Sequence, residues 1–99
     1  MSGDKFVWDV DKYYANIDKH GIAFEEAATV FDDINALYEP DDEHSNYEER
    51  FKVIGKSDNL KILMVCHCYR NGDSLIRLIS ARRATKKESE QYIREANHG

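Results

Sequence analysis

The stretch "KILMVCHCYRNGDSLIRLIS", residues 61–80, decides the fold. Two β-prone runs flank Asn71-Gly72, and Asn-Gly between alternating apolar residues is the strongest short hairpin signal. A two-residue turn there pairs Tyr69 with Ser74, Cys68 with Leu75, His67 with Ile76 and Cys66 with Arg77. Opposed residues share a face. Ile62, Met64, Cys66, Cys68, Leu75, Arg77 and Ile79 then lie on one face, and Leu63, Val65, His67, Tyr69, Ile76, Leu78 and Ser80 on the other. Both faces are apolar, so the hairpin is central and covered on both sides for part of its length.

The same register argues against a metal centre in "CHC". His67 points away from Cys66 and Cys68, and a C-x-C in mid-strand lacks both the zinc spacing and the C-x-x-C redox spacing. The cysteines read as small buried hydrophobes. Arg77 stands out on its apolar face, because a mostly buried guanidinium needs a carboxylate or a phosphate. His67 reads either as a satisfied core histidine or as a catalytic one.

Outward from the hairpin, "RFKVIG" (50–55) is a strand, "SDN" (57–59) a turn and "ALYE" (36–39) a short strand. "KFVW" (5–8) is an opening strand with Trp8 as a core anchor. Asp9 is a good N-cap for a helix over 10–20 that buries Val10, Tyr13 or Tyr14, and Ile17, with Gly21 ending it. A second helix over 24–33 buries Ala27, Ala28, Val30, Phe31 and Ile34. "DDEHSNYEE" after Pro40 is an acidic loop. Thr85 and Glu88 form a T-x-x-E capping box for a last helix starting at Lys86. The order β-α-α-β-β-β-β-α predicts an α+β fold, mainly an antiparallel sheet, in one domain over 1–99.

Composition narrows the function. A chain of 99 residues with 41% hydrophobic and 33% charged residues folds around one small core. No apolar run approaches the ~20 residues of a membrane span, and the opening residues lack a signal-peptide core. Two cysteines so close in sequence cannot staple a fold, so the expectation is a cytoplasmic protein with reduced thiols. The net charge of −5 hides a split: residues 1–49 hold three lysines against fourteen acids, whereas residues 50–99 hold eleven Lys and Arg against five acids. One surface can then meet phosphates while another meets a basic partner. A solvated surface with an accidental gradient is the alternative.

"ISARRATKKE" (79–88) is the most informative stretch. It places Arg82 and Arg83 between a strand and a capped helix whose first turn holds Lys86 and Lys87, four cations within six residues. Cations beside free helix N–H groups suit a phosphate, although a solvated basic face would look the same. "FVWDVDKYYANIDKHGIAFEEAATVFDD", "HSNYEERFKVIG" and "LMVCHCYRNGDSLIRLISARRATKKESEQY" together resemble the BrnT-type toxins over about residues 6 to 92. The family pattern runs roughly F-x-W-D-x-x-K-x-x-x-N-x-x-K-H-G-x-x-F-E-E-A.

The resemblance implies a RelE-like fold and the ribonuclease toxin of a bacterial type II toxin–antitoxin pair. It implies a BrnA-like ribbon-helix-helix antitoxin as partner, an RNA substrate, operator DNA reached only through the antitoxin, and no cofactor. Metal-free cleavage needs a deprotonated 2′-OH, a stabilised phosphorane and a protonated 5′-oxygen. Arg50 and Arg82 suit charge stabilisation. Arg70, Arg77, Arg83 and Lys52 would position the RNA backbone, and Tyr92 would stack on a base or relay a proton. His67, His44 or Glu88 would act as acid or base. Lys19 and His20 of "KHG" read chiefly as a helix end. A non-catalytic inhibitor of a protein target, or an inactive antitoxin-binding subunit, is the competing expectation.

Overall fold

The computed structural model describes residues 5–98. Five strands, β1 (Lys5–Val7), β2 (Leu37–Pro40), β3 (Phe51–Lys56), β4 (Ile62–Arg70) and β5 (Leu75–Arg83), form one sheet in the order β1-β5-β4-β3-β2. Every neighbouring pair is antiparallel except β1, which runs parallel to β5 through Lys5–Leu75, Phe6–Ile76 and Val7–Arg77. Helices α1 (Val10–His20) and α2 (Phe24–Thr29) follow β1, and α3 (Lys86–His98) ends the described chain. The element order and mainly antiparallel sheet match the expectation. Among the described residues no helix is long and apolar enough to cross a membrane.

The core lies on one side of the sheet. Val53, Leu63, Val65, Ile76, Leu78 and Ala81 pack against Ile22, Phe24, Ala27 and Val30 from the α2 region. The second helix is shorter than its apolar pattern suggests. It turns into a 3-10 segment at Val30–Asp32, and Asp33 is already extended, so Ile34 swings out to solvent instead of joining the buried stripe.

Helix α1 begins as expected, with the Asp9 carboxylate accepting the Lys12 N–H at 3.0 Å, and it ends at Gly21 in the left-handed region at φ 70°. Its buried face, however, is not the apolar one. Val10, Tyr14 and Ile17 are exposed, Tyr13 is half-buried, and the buried residue is Asn16. The cause is the edge of the sheet. β1 covers β5 only as far as Arg77, which leaves the edge of Ala81 that faces away from β4 without a neighbouring strand. The Asn16 amide supplies the missing partner: its Nδ2 donates to the Ala81 and Ile22 carbonyls at 2.9 Å, and its Oδ1 accepts the Ala81 N–H at 3.0 Å. A buried open ladder position must find partners, and this helix provides them with one polar side chain.

The hairpin differs from the expected one in a way that preserves its faces. The turn takes four residues, 71–74, and the pairs run Arg70–Leu75, Tyr69–Ile76, Cys68–Arg77 and His67–Leu78. Asn71, Gly72 and Asp73 all have positive φ, and the Asn71 carbonyl accepts both the Ser74 N–H and its hydroxyl, which draws Ser74 out of the ladder. The shift is two residues, so side chains near the turn keep their predicted sides. Further along, the alternation breaks. His67 faces Leu78 but Cys66 faces Ser80, leaving Ile79 as a bulge. A bulge inserts one residue and reverses the alternation beyond it. Ser80 and Arg82 therefore join the face of Met64 and Cys66, opposite to the strict reading, while Arg83 goes to the other side.

His67 is fully buried on the core face, between the rings of Phe31, Tyr38, Phe51 and Tyr69. Its Nδ1 donates to the Val65 carbonyl at 3.2 Å, and its Nε2 accepts from the Tyr69 hydroxyl at 3.3 Å. Burial lowers its pKa to about 4. The folded state thus prefers the neutral ring, whereas the unfolded chain gains a proton near the ordinary value of about 6.5. Stability is fully present above that value and falls as pH drops towards 4, by about 2–3 kcal/mol from this group. Chemical denaturation between pH 7 and 4 should show that slope, and His67→Phe should flatten it. An unchanged slope in His67→Phe would place the acid sensitivity elsewhere.

Candidate functional site

The sheet face away from the core carries the cations. On β3, Lys52 opposes Cys66, and on β4 and β5, Cys68 opposes Arg77 and Met64 opposes Arg82. Cys66 and Cys68 themselves are buried on this face, and burial raises the Cys66 thiol to about 11. His67 lies behind the sheet, so the three side chains of "CHC" do not converge.

At the end of this face lies a groove of about 360 Å³, lined by Lys19, His20, Asp41, His44, Arg50, Met64, Cys66, Ile79, Ser80 and Arg82. Five segments build it, among them β4 with Met64 and Cys66. Helix α1 brings Lys19 and His20 at its last turn, and the acidic loop brings Asp41 and His44. The residue just ahead of β3 is Arg50, and the bulged half of β5 brings Arg82. Two expected site residues, Arg50 and Arg82, thus meet across one cleft. His44, one of three acid–base candidates in the sequence, joins them. His20, which reads in sequence as the end of a helix, is brought to the cleft by the packing of α1 along β5. The "KHG" triplet was the available signal.

Carboxylates hold several of these cations in place. Glu88 takes Arg82 in a two-pronged pair, with Nη1 to Oε1 at 2.8 Å and Nη2 to Oε2 at 3.0 Å. The same carboxylate accepts the Thr85 N–H at 2.8 Å while the Thr85 hydroxyl accepts the Glu88 N–H at 3.2 Å, completing the capping box. Hydrogen bonding from Arg82 holds the Glu88 carboxyl down at about 2. Glu48 lies 2.8 Å from Arg70 and 4.0 Å from Arg50. The Arg50 Nε is buried and has no hydrogen-bond partner among the described residues. Lys52 pairs with Glu39 at 3.5 Å. His44 is oriented by Asp41, whose carboxylate accepts from Nδ1 at 3.0 and 3.1 Å. That bond leaves Nε2 as the atom able to accept a proton.

Three expected residues belong elsewhere. His67 is enclosed in the core and has no path to a ligand on this face. Tyr92 is buried under α3, and its hydroxyl donates to Asp33, which also accepts the Lys56 N–H at 2.7 Å. Burial and the Asp33 carboxylate raise the Tyr92 phenol to about 12. It anchors α3 to the sheet instead of stacking on a base. Arg83, on the far side of the bulge, is exposed opposite Leu63 and does not share the groove with Arg82. Arg70 and Arg77 line a separate hollow further along the same face.

A five-stranded, mainly antiparallel sheet with helices packed on one face and a cationic groove on the other is a RelE-like α+β toxin fold. The chain belongs to the BrnT family, because the model of the ribonuclease toxin BrnT of type II toxin–antitoxin systems matches residues 8–88. It is similar to the ribonuclease toxin BrnT of Brucella abortus, whose crystal structure aligns at 27% identity with a TM-score of 0.64, over 84% of this chain and 99% of that one. A comparison with curated proteins gives no match.

Proposed function

We propose that this toxin is a metal-independent endoribonuclease that cuts mRNA, inhibits translation and growth, and is neutralised by a BrnA-like ribbon-helix-helix antitoxin in the cytoplasm. The observation that carries the reading is the convergence of Arg50, Arg82, Lys19, His20 and His44 on one groove. RNA can be cut through attack of its own 2′-OH on the adjacent phosphorus, so the chemistry reduces to moving two protons and stabilising charge. His44, with Nδ1 fixed by Asp41, takes the 2′-OH proton at Nε2. His20, from the end of α1, delivers a proton to the departing 5′-oxygen. Arg50 and Arg82 neutralise the phosphorane as it forms, and Lys19 adds a third positive charge. Arg70, Arg77 and Lys52 hold the flanking backbone.

Glu88 serves this scheme by orienting Arg82. A carboxyl held near 2 and occupied by a guanidinium is a weak base at neutral pH. The antitoxin would cover the cationic face with an acidic segment, or dock a basic one on the acidic first half of the chain, and would carry any operator binding.

The test is incubation of antitoxin-free protein with RNA in EDTA. Cleavage that survives chelation and leaves 2′,3′-cyclic phosphate ends supports the proposal. Cleavage abolished by EDTA and restored by a divalent cation would sink the metal-free mechanism. Intact RNA accompanied by growth arrest would point instead to inhibition of a protein target. Intact RNA without arrest would point to an inactive partner subunit.

A further inference from the structure

A second hollow, of about 340 Å³, opens on the same sheet face near the hairpin end and is lined by Val7, Trp8, Asp9, Arg70 and Arg77. The scheme above gives its two arginines the flanking backbone and gives Val7, Trp8 and Asp9 no part. Val7 and Trp8 give it an apolar wall, and Trp8 is braced from behind by Tyr13, stacked at 5.7 Å, and by the edge of Phe24 at 5.8 Å. Two guanidiniums, with Arg77 beside Val7 across the strand pair, complete the lining. Arg77 is half-buried and makes no ion pair among the described residues, so its guanidinium is available to an arriving anion. Its strand partner is Cys68, whereas the partner of Arg82 in the groove is Met64. Four residues of β4 separate them, about 13 Å along the strand, which is the scale of roughly two or three nucleotides of an extended single strand.

We infer that this hollow is a second nucleotide subsite, in which one base of single-stranded RNA packs against Trp8 while Arg70 and Arg77 hold its phosphate. The inference rests on the ribonuclease reading and deepens it, for it gives the toxin a contact away from the cut and a place where base preference is set. An apolar ring beside paired cations is the combination that binds single strands, with stacking on the base and charge on the backbone. Asp9 accepts the Lys12 N–H and so has one oxygen committed to capping α1. Its other oxygen can accept from a base edge bearing an amino group.

Trp8 is the only tryptophan of the chain, so tryptophan fluorescence follows this one side chain of the hollow. The probe is an eight-nucleotide single-stranded RNA, fully 2′-O-methylated so that it cannot be cut, titrated into the antitoxin-free chain. Binding is followed in parallel by anisotropy of an end label. The expected result is saturable quenching of Trp8 at the concentrations where anisotropy rises. The same oligonucleotide without bases should bind with little quenching. Arg77→Gln should weaken binding about tenfold and reduce the quenching in step, with its melting temperature checked to show that it folds. Anisotropy that rises with Trp8 unchanged would overturn the subsite and leave the ribonuclease reading standing. No rise at all would overturn both. Quenching by the antitoxin but not by RNA would assign the hollow to the antitoxin.

Discussion

Arg82→Ala should lose RNA cleavage by about 10²–10³-fold, the typical cost of removing one group that stabilises transition-state charge. Its stability should fall by only about 1 kcal/mol, the scale of a half-exposed ion pair. Arg82→Lys should recover little activity, since one ammonium cannot reproduce the planar fork that meets two phosphate oxygens. His20→Ala and His44→Ala should each fall by about 10²–10⁴-fold if they transfer the two protons. Glu88→Gln is the informative comparison. It keeps the size of the side chain and the backbone cap but weakens the grip on Arg82, so cleavage should stay within about tenfold of the parent. Single-turnover cleavage of one RNA by all five variants, with melting temperatures alongside, checks the set. If Glu88→Gln alone were dead while both histidine variants cut normally, the acid–base assignment would move to Glu88.

The second large effect concerns folding. Asn16→Ala should destabilise the protein by about 3–4 kcal/mol, lowering the melting temperature by roughly 15 °C or more. Three hydrogen bonds disappear, and the Ala81 N–H, the Ala81 carbonyl and the Ile22 carbonyl are left unpaired where water has little access. Asn16→Asp should be no better, and worse at neutral pH. Its carboxylate can still accept from the Ala81 N–H, but it faces two carbonyl oxygens that need donors. Ile17→Ala, one residue along on the exposed side, should cost well under 1 kcal/mol. Urea denaturation of the three variants decides the point, and an Asn16→Asp protein as stable as the parent would falsify the edge-pairing account. Loss of Asn16 should also loosen the seat of α1 and with it His20, so residual activity of the folded fraction should drop.

The family pattern shows why much of the fold was readable and the site only partly so. The β5-β4-β3 sheet, the Asp9 and Gly21 ends of α1 and the Thr85–Glu88 cap follow from local chemistry, and local chemistry is written in adjacent residues. Arg50 and Arg82 could be nominated because arginines suit phosphate. Their meeting could not be read, since 32 positions separate them and no periodicity links the start of β3 to the end of β5. Tyr92 misled because a tyrosine looks the same in sequence whether its ring is free or pinned by Asp33.

By itself, then, the sequence determined the order of elements, the hairpin at Asn71-Gly72, the two apolar sides of β4 and the cationic second half. Tertiary structure decided which polar groups are inside and which cations share a face. Strict alternation from Arg77 would put Arg83 on its side and Arg82 behind the sheet. The bulge at Ile79 reverses them, because one unpaired residue changes the phase of every side chain beyond it. Likewise, hydrophobicity alone would bury Val10 and Ile17, yet the open edge of β5 needed hydrogen bonds more than it needed methyl groups, and Asn16 turned inward to supply them.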